Sequence, residues 1–243
     1  MKLNLCVPAY NEEKIIGETV ETLDRELSRI QNLDYKIIVA DNGSTDNTRS
    51  EALRSDITRV SALAVPGKGK GLAVRHTAKE SGVGLFGFID ADLSADPASI
   101  AEMLPLLEKS EADIVIGSRL LDKKKVHRNF LRTFLSEIFN VLRKVILGVR
   151  VRDSQCGLKI MNDKGKNALL KCKEDGWFFD MELLALAQKN GLRVKEIPVA
   201  WEEFRYASRG SKLKVLRDGF QAIAAMFRIR TRIMNGTYEK RSF

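Results

Sequence analysis

Histidine is nearly missing from this chain: two in 243 residues, His76 and His127, each standing alone. Histidine ligation of a metal and a Ser-His-Asp arrangement are therefore not expected. Cysteine is almost as scarce. The three present form no close pair and Cys6 lies within an apolar run, so neither a disulfide framework nor a zinc site is indicated and a reducing compartment fits. No apolar run approaches ~20 residues, so no membrane span is expected. The amino terminus enters a strand-like run at once, and no signal peptide is expected. Aromatic residues make up 7% of the chain and few stand among the basic ones. With no recognisable module for it, nucleic acid is not an expected partner. Two nucleotide-binding signatures are also absent: no G-x-G-x-x-G follows the first strand, and the glycine-rich stretch GKGKGLAVR is not G-x-x-x-x-G-K-[ST].

An apolar fraction of 44% over 243 residues is enough for one large α/β domain or two small ones. Lys and Arg number 41 against 32 Asp and Glu, an excess that by itself fits any anionic partner, whether nucleic acid, a phosphorylated substrate or a membrane surface. LNLCV, KIIVA, RVSALAV, GLFGFID and DIVIGS read as short strands, mostly buried on both faces, and helical patterns separate most of them. The helix from Glu12 to Gln31 places Ile16, Val20, Leu23, Leu27 and Ile30 on one face. This alternation predicts an α/β fold, a mostly parallel sheet flanked by helices, with ligands at the carboxyl ends of the strands. After Ser118 the alternation lapses. A long amphipathic helix is expected from about Arg128 to Leu147, then a strand-like stretch GVRVRDSQCGLKIM, the helix FFDMELLALAQKNG, the strand VKEIPVAW and a basic helix from Leu213 to about Arg232. The expected division is a catalytic domain over 1–212 and a C-terminal amphipathic basic helix and tail over 213–243.

The strand ends carry the polar motifs. In FIDADLSADP, Asp90 and Asp92 are one residue apart, and on an extended backbone both carboxylates would face one site. At ~6 Å and an effective dielectric of ~20 they would repel by roughly 3 kcal/mol, so a positive group belongs beside them. Asp96 as a helix N-cap with Pro97 at the first helical position accounts for the rest of the stretch and leaves that acidic pair open between a divalent-metal or ligand site and a solvated loop. Strand one ends in VPAYNEE, where Pro8 stiffens the turn and the Tyr10 ring either lies against a base or packs in the turn. Strand two ends in ADNGSTDNT, where Asp41 and Asn42 serve a ribose or base, or the turn itself. GKGKGLAVR, which contains Lys70, suits contact with phosphate.

VPAYNEE, ADNGSTDNT, GKGKGLAVR, DADLSADP and GSR, in this order, resemble the inverting family 2 glycosyltransferases of the GT-A fold. RTFLSEIFN, DSQCGLKIM, WFFDMELL and RGSKLK extend the resemblance to the polyprenyl-phosphate branch of dolichyl-phosphate mannose synthases and glucosyltransferases, from about Leu3 to Arg228. The resemblance implies that Pro8, Ala9, Tyr10, Glu12 and Asp41 hold the nucleoside, with Asn42 standing where many relatives have a second Asp. Lys70 and Ala91 join the donor site. Asp90 and Asp92 would hold Mg²⁺ or Mn²⁺ on the donor diphosphate, with Ser94 or a water as a further ligand. Arg119, Arg205 and Lys212 would stabilise the leaving diphosphate, Arg209 being a competing match for Arg205.

The implied reaction moves a hexose from UDP-glucose or GDP-mannose to polyprenyl or dolichyl phosphate. A saccharide acceptor in cell-envelope glycan synthesis and a sugar nucleotidyltransferase are the alternatives. A phosphate acceptor is already anionic at neutral pH and needs no general base, so Asp153 and Asp180 are not read as bases. Arg132, Ser136 and Asn140 recur every four residues beside an apolar helix face, which packs on the sheet or lines a lipid-phosphate groove. Leu216, Phe220, Ile223, Ala224 and Phe227, with Lys214, Arg217, Arg228, Arg230 and Arg232, suit an anionic membrane surface or a partner helix. The expected location is the cytoplasmic face of a membrane, bound peripherally.

Overall fold

The computed structural model describes residues 1–121, 141–202 and 215–239, with the backbone alone over 215–218. Arg132, Ser136 and Asn140, and Arg205, Arg209 and Lys212, lie outside the described residues.

Seven strands form one sheet: β1 (Lys2–Ala9), β2 (Asp34–Asp41), β3 (Val60–Ala64), β4 (Leu85–Phe88), β5 (Ile114–Ser118), β6 (Lys159–Met161) and β7 (Val194–Pro198). Their spatial order is β3-β2-β1-β4-β6-β5-β7. All pairings are parallel except those of β6, which runs antiparallel between β4 and β5. The helices are α1 (Ile16–Ser28), α2 (Thr48–Leu53), α3 (Lys70–Glu80), α4 (Ile100–Glu108), α5 (Asp163–Lys171), α6 (Phe179–Lys189) and α7 (Val215–Met234), with a further helical stretch over 141–147.

Apolar packing divides the helices between the two faces of the sheet. One core joins Leu3, Leu5, Val7, Ile37 and Val39 to α1 and α4, and the other joins Phe86, Phe88, Ile114 and Ile116 to α3, α5, α6 and α7. On α1, Ile16, Val20, Leu23 and Leu27 are buried as the spacing predicts, each contributing about 1.5–3 kcal/mol of burial. The helix begins at Ile16 rather than Glu12. Asn11 has φ +53°, and the Glu12 N–H donates to Thr48 Oγ1 at 2.8 Å, so residues 12–15 form a turn tied to the loop after β2.

GVRVRDSQCGLKIM contributes only Lys159–Met161 as strand. Upstream, the N–H groups of Arg152 and Asp153 donate to the Glu196 carboxylate at 2.7 and 2.9 Å, a side-chain acceptor in place of a ladder. The extended path through Asp90 and Asp92 is also not taken. β4 stops at Phe88, the Leu93 N–H donates to the Asp90 carbonyl at 3.0 Å, and Leu93 has φ +46°, so the acidic pair lies in a tight turn. Asp96 caps the following 3₁₀ turn, accepting from the Ala98 N–H at 3.0 Å, with Pro97 in the first helical position as expected.

The terminal helix packs inward through a stripe other than the one expected to meet a membrane or a partner helix. Ala222, Ala225, Met226 and Ile229 are buried, while Phe220, Phe227 and Met234 are exposed.

Candidate active site

The loops that follow β1, β2, β3, β4 and β5 meet beyond the carboxyl ends of these strands. The loop after β1 is bonded to the loop after β2: the Asn11 N–H donates to Ser44 Oγ at 3.0 Å, Asn11 Oδ1 accepts from the Thr45 N–H at 2.8 Å, and the Glu13 N–H donates to Asp46 Oδ2 at 3.2 Å. Asp41 closes its own turn, accepting from the Ser44 N–H at 3.0 Å. Asn42 is buried, and its Oδ1 accepts from the Gly69 N–H at 3.1 Å, which draws the glycine-lysine loop onto β2. Ala9 is buried beside this junction, while the Tyr10 ring stands half in solvent with Lys68 Nζ 5.4 Å from its centre.

Gly69, at φ +143°, leads into α3 and its first residue, Lys70. Residues with a Cβ could not replace this turn. A Cβ on Gly69 would lie 2.2 Å from the Asp175 carbonyl oxygen, and one on Gly71 would lie 2.5 Å from that of Glu174. The loop before α6 is therefore pressed onto the start of α3. It carries Trp177, 60% exposed, whose ring centre is 5.1 Å from Lys70 Nζ.

Lys70 Nζ lies 2.6 Å from Asp90 Oδ1, its side chain only 8% exposed. This is the positive group that the acidic pair calls for. Burial works against the ammonium, but Asp90, Asp180 and Asp92 outweigh it and raise the Lys70 pKa, so the charge is kept. On the other side of Asp90 sits Gly157, where a Cβ would fall 2.1 Å from Asp90 Oδ2. The turn is thus shaped around that carboxylate. Asp92 Oδ1 accepts from the Ser94 N–H at 3.1 Å, and Ser94 is buried.

Arg119 follows β5 and pairs with Asp153 through both ends of its fork, Nε at 2.6 Å and Nη2 at 2.7 Å, while its N–H donates to the same carboxylate at 3.0 Å. Its guanidinium also stacks 4.6 Å from the centre of the Trp201 ring. Burial opposes ionisation of both partners, yet the pair raises the Arg119 pKa and holds the Asp153 carboxyl below the usual carboxylate range. Asp180 is matched in the same way: Lys159 Nζ lies 2.6 Å away, with both side chains almost fully buried. Burial pushes the Asp180 carboxyl upward against the pull of Lys159 and Lys70. Removing one member of such a pair costs about 3–5 kcal/mol, because the other charge is left buried.

The structure therefore brings together Tyr10, Asp41, Asn42, Lys70, Asp90, Ala91, Asp92, Ser94 and Arg119 at one end of the sheet. Several members have no counterpart among the expected residues: Gly157, Lys159 and Trp177. Glu182 is another. Fully buried in α6, it accepts from the N–H groups of Lys173 and Glu174 at 2.7 Å each and from the Tyr238 hydroxyl. Glu174 in turn receives Arg228 and Arg232 from α7 at 2.8 Å each. Two of the basic residues expected to face a membrane are thus paired within the protein, Arg228 while still half exposed, and a third, Arg230, donates to the Ile146 carbonyl at 3.0 Å. The signal for this network was present in FFDMELLALA, where two acids interrupt an otherwise apolar run.

Residues 5–170 match the model of glycosyl transferase family 2. A dolichyl-phosphate beta-glucosyltransferase of Trichomonas vaginalis, ALG5D, is 33% identical over 228 residues, spanning 88% of this chain and 68% of that one. The dolichyl-phosphate beta-glucosyltransferase of Mus musculus is 30% identical over 262 residues, spanning 98% and 77%. Among solved structures, glucosyl-3-phosphoglycerate synthase from Mycobacterium tuberculosis in complex with uridine diphosphate superposes with a TM-score of 0.69 at 22% identity, over 95% of this chain and 80% of that one. The family match over residues 5–170 and relatives of 30% identity or more over most of its length show that the chain belongs to glycosyltransferase family 2 and is a glycosyltransferase.

Proposed function

We propose that this enzyme transfers glucose from UDP-glucose to a polyprenyl or dolichyl phosphate with inversion at the anomeric carbon. The observation that carries the acceptor assignment is the pairing of Asp153 and Asp180. Each is buried against a cation at 2.6 Å, so neither is free to take a proton from an acceptor hydroxyl. A phosphate monoester, whose second pKa is near ~6, presents an anionic oxygen at neutral pH and needs no such base. That oxygen forms a bond to C1 as the bond from C1 to the donor β-phosphate oxygen breaks, and the electron pair leaves with the nucleoside diphosphate. The names of the relatives from Trichomonas vaginalis and Mus musculus favour glucose and a dolichyl carrier.

On the donor side, Tyr10 offers an exposed ring for the base, and Asp41 lies beside it at the end of β2. Among the described residues no cluster of three or more His, Cys, Asp or Glu side chains could hold a metal by itself. A divalent cation is compatible with the site if diphosphate oxygens and water complete its shell, the usual state of Mg²⁺ on nucleotides. Asp90, seated against Gly157, and Asp92 would hold it, with Ser94 alongside. Bound there, Mg²⁺ or Mn²⁺ neutralises charge on the departing diphosphate. Lys70 supplies fixed positive charge at the same carboxylate, and Arg119, oriented by Asp153, stands further along the sheet. Arg205 and Lys212 are assigned to the phosphates on the motif alone.

The enzyme would reach its lipid from the cytoplasmic side as a peripheral protein. No helix among the described residues is long and apolar enough to cross a membrane, while α7 carries Phe220, Phe227 and Met234 exposed at seven-residue intervals. The deciding experiment is a screen of UDP-glucose, GDP-mannose and related donors against polyprenyl phosphate and a panel of free mono- and disaccharides. Glucose transfer to the lipid phosphate alone is the expected result. Efficient glycosylation of a free sugar with polyprenyl phosphate inert would overturn the acceptor.

A further inference from the structure

The acidic pair sits on a β-turn whose middle is held by a residue 72 positions away in the chain. The Leu93 N–H closes the turn on the Asp90 carbonyl at 3.0 Å, which leaves Ala91 and Asp92 as its two central residues. The peptide between them takes no part in the closing bond. Rotating that peptide by half a turn converts one common turn type into another, and the flipped form needs a positive φ at Asp92, which aspartate tolerates. Asp92 does not have one in the structure. Leu93, at φ +46°, already occupies a region that costs free energy for a residue with a Cβ, so the turn persists because its surroundings over-determine it.

Those surroundings come from separate parts of the chain. The Ser94 carbonyl accepts from the Glu202 N–H at 3.0 Å and the Asp96 N–H donates to the Ala200 carbonyl at 3.1 Å, so the stretch beyond β7 fixes the outgoing side of the turn. Gly157 and Lys70 confine the Asp90 carboxylate. The central peptide is left to α1. Thr19, fully buried on that helix, has its hydroxyl 2.6 Å from the Ala91 carbonyl oxygen and 2.9 Å from that of Ile15, four residues back. A buried helical threonine commonly gives its single proton to the carbonyl four residues back, as Thr77 does to Ala73 at 2.9 Å. Thr19 has a shorter partner, in the acidic turn. No backbone N–H among the described residues donates to the Ala91 carbonyl, and Ala91 is itself buried. Without the hydroxyl that oxygen would be a buried acceptor left unpaired, which is costly.

We propose that Thr19 is a positioning residue of the active site, its hydroxyl locking the Ala91–Asp92 peptide against rotation. Planarity makes the consequence specific. A trans peptide points its C=O and N–H in opposite directions, so a carbonyl aimed at α1 turns the Asp92 N–H away from that helix. The same lock sets ψ of Ala91 and φ of Asp92, and with them the direction in which the Asp92 carboxylate leaves the chain. Thr19 acts through Ala91, from beneath the turn. Its effect on a metal rests on the reading of Asp90 and Asp92 as ligands given above; the locked peptide does not.

The test uses the full chain and reads Mn²⁺ binding in the presence of UDP by electron paramagnetic resonance, beside transfer kinetics and a melting curve. Thr19→Val keeps the shape and the β-branch and removes the donor. It should melt below wild type, bind Mn²⁺ about 10–100-fold more weakly and lose kcat, while Thr19→Ser, which keeps the hydroxyl, stays within about twofold of wild type. Thr77→Val is the control, because it strips an equally buried helical hydroxyl that serves its own helix. It should melt lower with Mn²⁺ affinity unchanged. Thr19→Cys, of similar size and a weak donor, should fall between the other two Thr19 variants, and it carries the test if Thr19→Val fails to fold. Wild-type Mn²⁺ affinity in the folded Thr19→Val or Thr19→Cys enzyme would overturn the positioning role, and so would a loss that Thr77→Val matches. A wild type that binds no Mn²⁺ beside UDP would overturn the metal reading instead, and a loss of turnover confined to Thr19→Val and recovered in Thr19→Ser would then still support the locked peptide.

Discussion

Replacing Gly157 by alanine adds one methyl group in the most confined part of the site. The new Cβ would sit 2.1 Å from Asp90 Oδ2 and 2.5 Å from Asp90 Cγ. To restore an ordinary contact the carboxylate must move by about 1 Å, away from the position in which Oδ1 meets Lys70 Nζ at 2.6 Å. Overpacking of this kind costs about 1–3 kcal/mol. In a chain of this size each kcal/mol lowers Tm by about 2–4 °C, so Gly157→Ala should melt roughly 2–12 °C below wild type and stay folded at 25 °C. A misplacement of about 1 Å at a reacting centre costs on the order of 100-fold in rate. We expect kcat/KM to fall by about that factor, with the divalent-metal concentration for half-maximal rate rising, because the displaced group is a proposed ligand. The assay is a metal titration of sugar transfer beside a melting curve. Wild-type turnover and wild-type metal dependence in the folded variant would refute the claim that Gly157 shapes the Asp90 position.

Three further outcomes are expected. Asp92→Asn should abolish transfer while leaving the melting temperature within a few degrees, and excess EDTA should silence the wild type; full activity in either case removes the metal assignment. Asp113, bonded to the Arg193 side chain at 3.0 and 3.1 Å, to its N–H at 2.9 Å and to the Asn162 amide at 3.0 Å, has its carboxyl held well below the usual range chiefly by Arg193. A depressed pKa stabilises the fold above the unfolded value near ~4 and loses that contribution as pH falls through the folded one, so Asp113→Asn should melt several degrees below wild type at pH 7, with the gap narrowing as the pH is taken below ~4. Phe227→Glu, on the exposed side of α7, should reduce pelleting with anionic vesicles severalfold without affecting UDP binding, and pelleting unchanged by the substitution would remove α7 from the membrane contact.

β1, β4 and β5 were legible as strands buried on both faces because continuous apolar runs have few other uses, whereas β3, read the same way, is an edge strand with no fully buried residue; the strand-end motifs located the site because ligands collect there in such sheets. Strand direction was not legible in Lys159–Met161, since hydropathy is the same for either direction and three residues carry little pattern. Lys70 stood out as a lysine among glycines, but its pairing with Asp90 across 20 residues is a tertiary fact. The ties of Asp153 to Arg119 and Asp180 to Lys159 are of the same kind. In the terminal helix, basic spacing suited a membrane, yet Arg228 and Arg232 face Glu174 because burying Ala222, Ala225, Met226 and Ile229 fixes the helix rotation and turns those arginines towards α6. A hydrophobic pattern with Phe220 and Phe227 on one side could not reveal which stripe another helix would cover.

The antiparallel insertion of β6 also sets a schedule for synthesis. β1 to β4 find all their mutual neighbours among the first 88 residues, whereas β5 has as partners only β6 and β7, which come later in the chain. At ribosomal rates of about 5–20 residues per second, β7 begins to emerge roughly 4–15 s after β5 has been made. Until β6 has been made, roughly 2–8 s at the same rates, the run IVIGS, buried at every position in the finished sheet, has both edges unpaired, and the edge that β7 covers stays open for the whole interval. The nascent enzyme is therefore a half-sheet with a trailing sticky strand, and its yield in a cell depends on whatever shields that strand until the second half arrives.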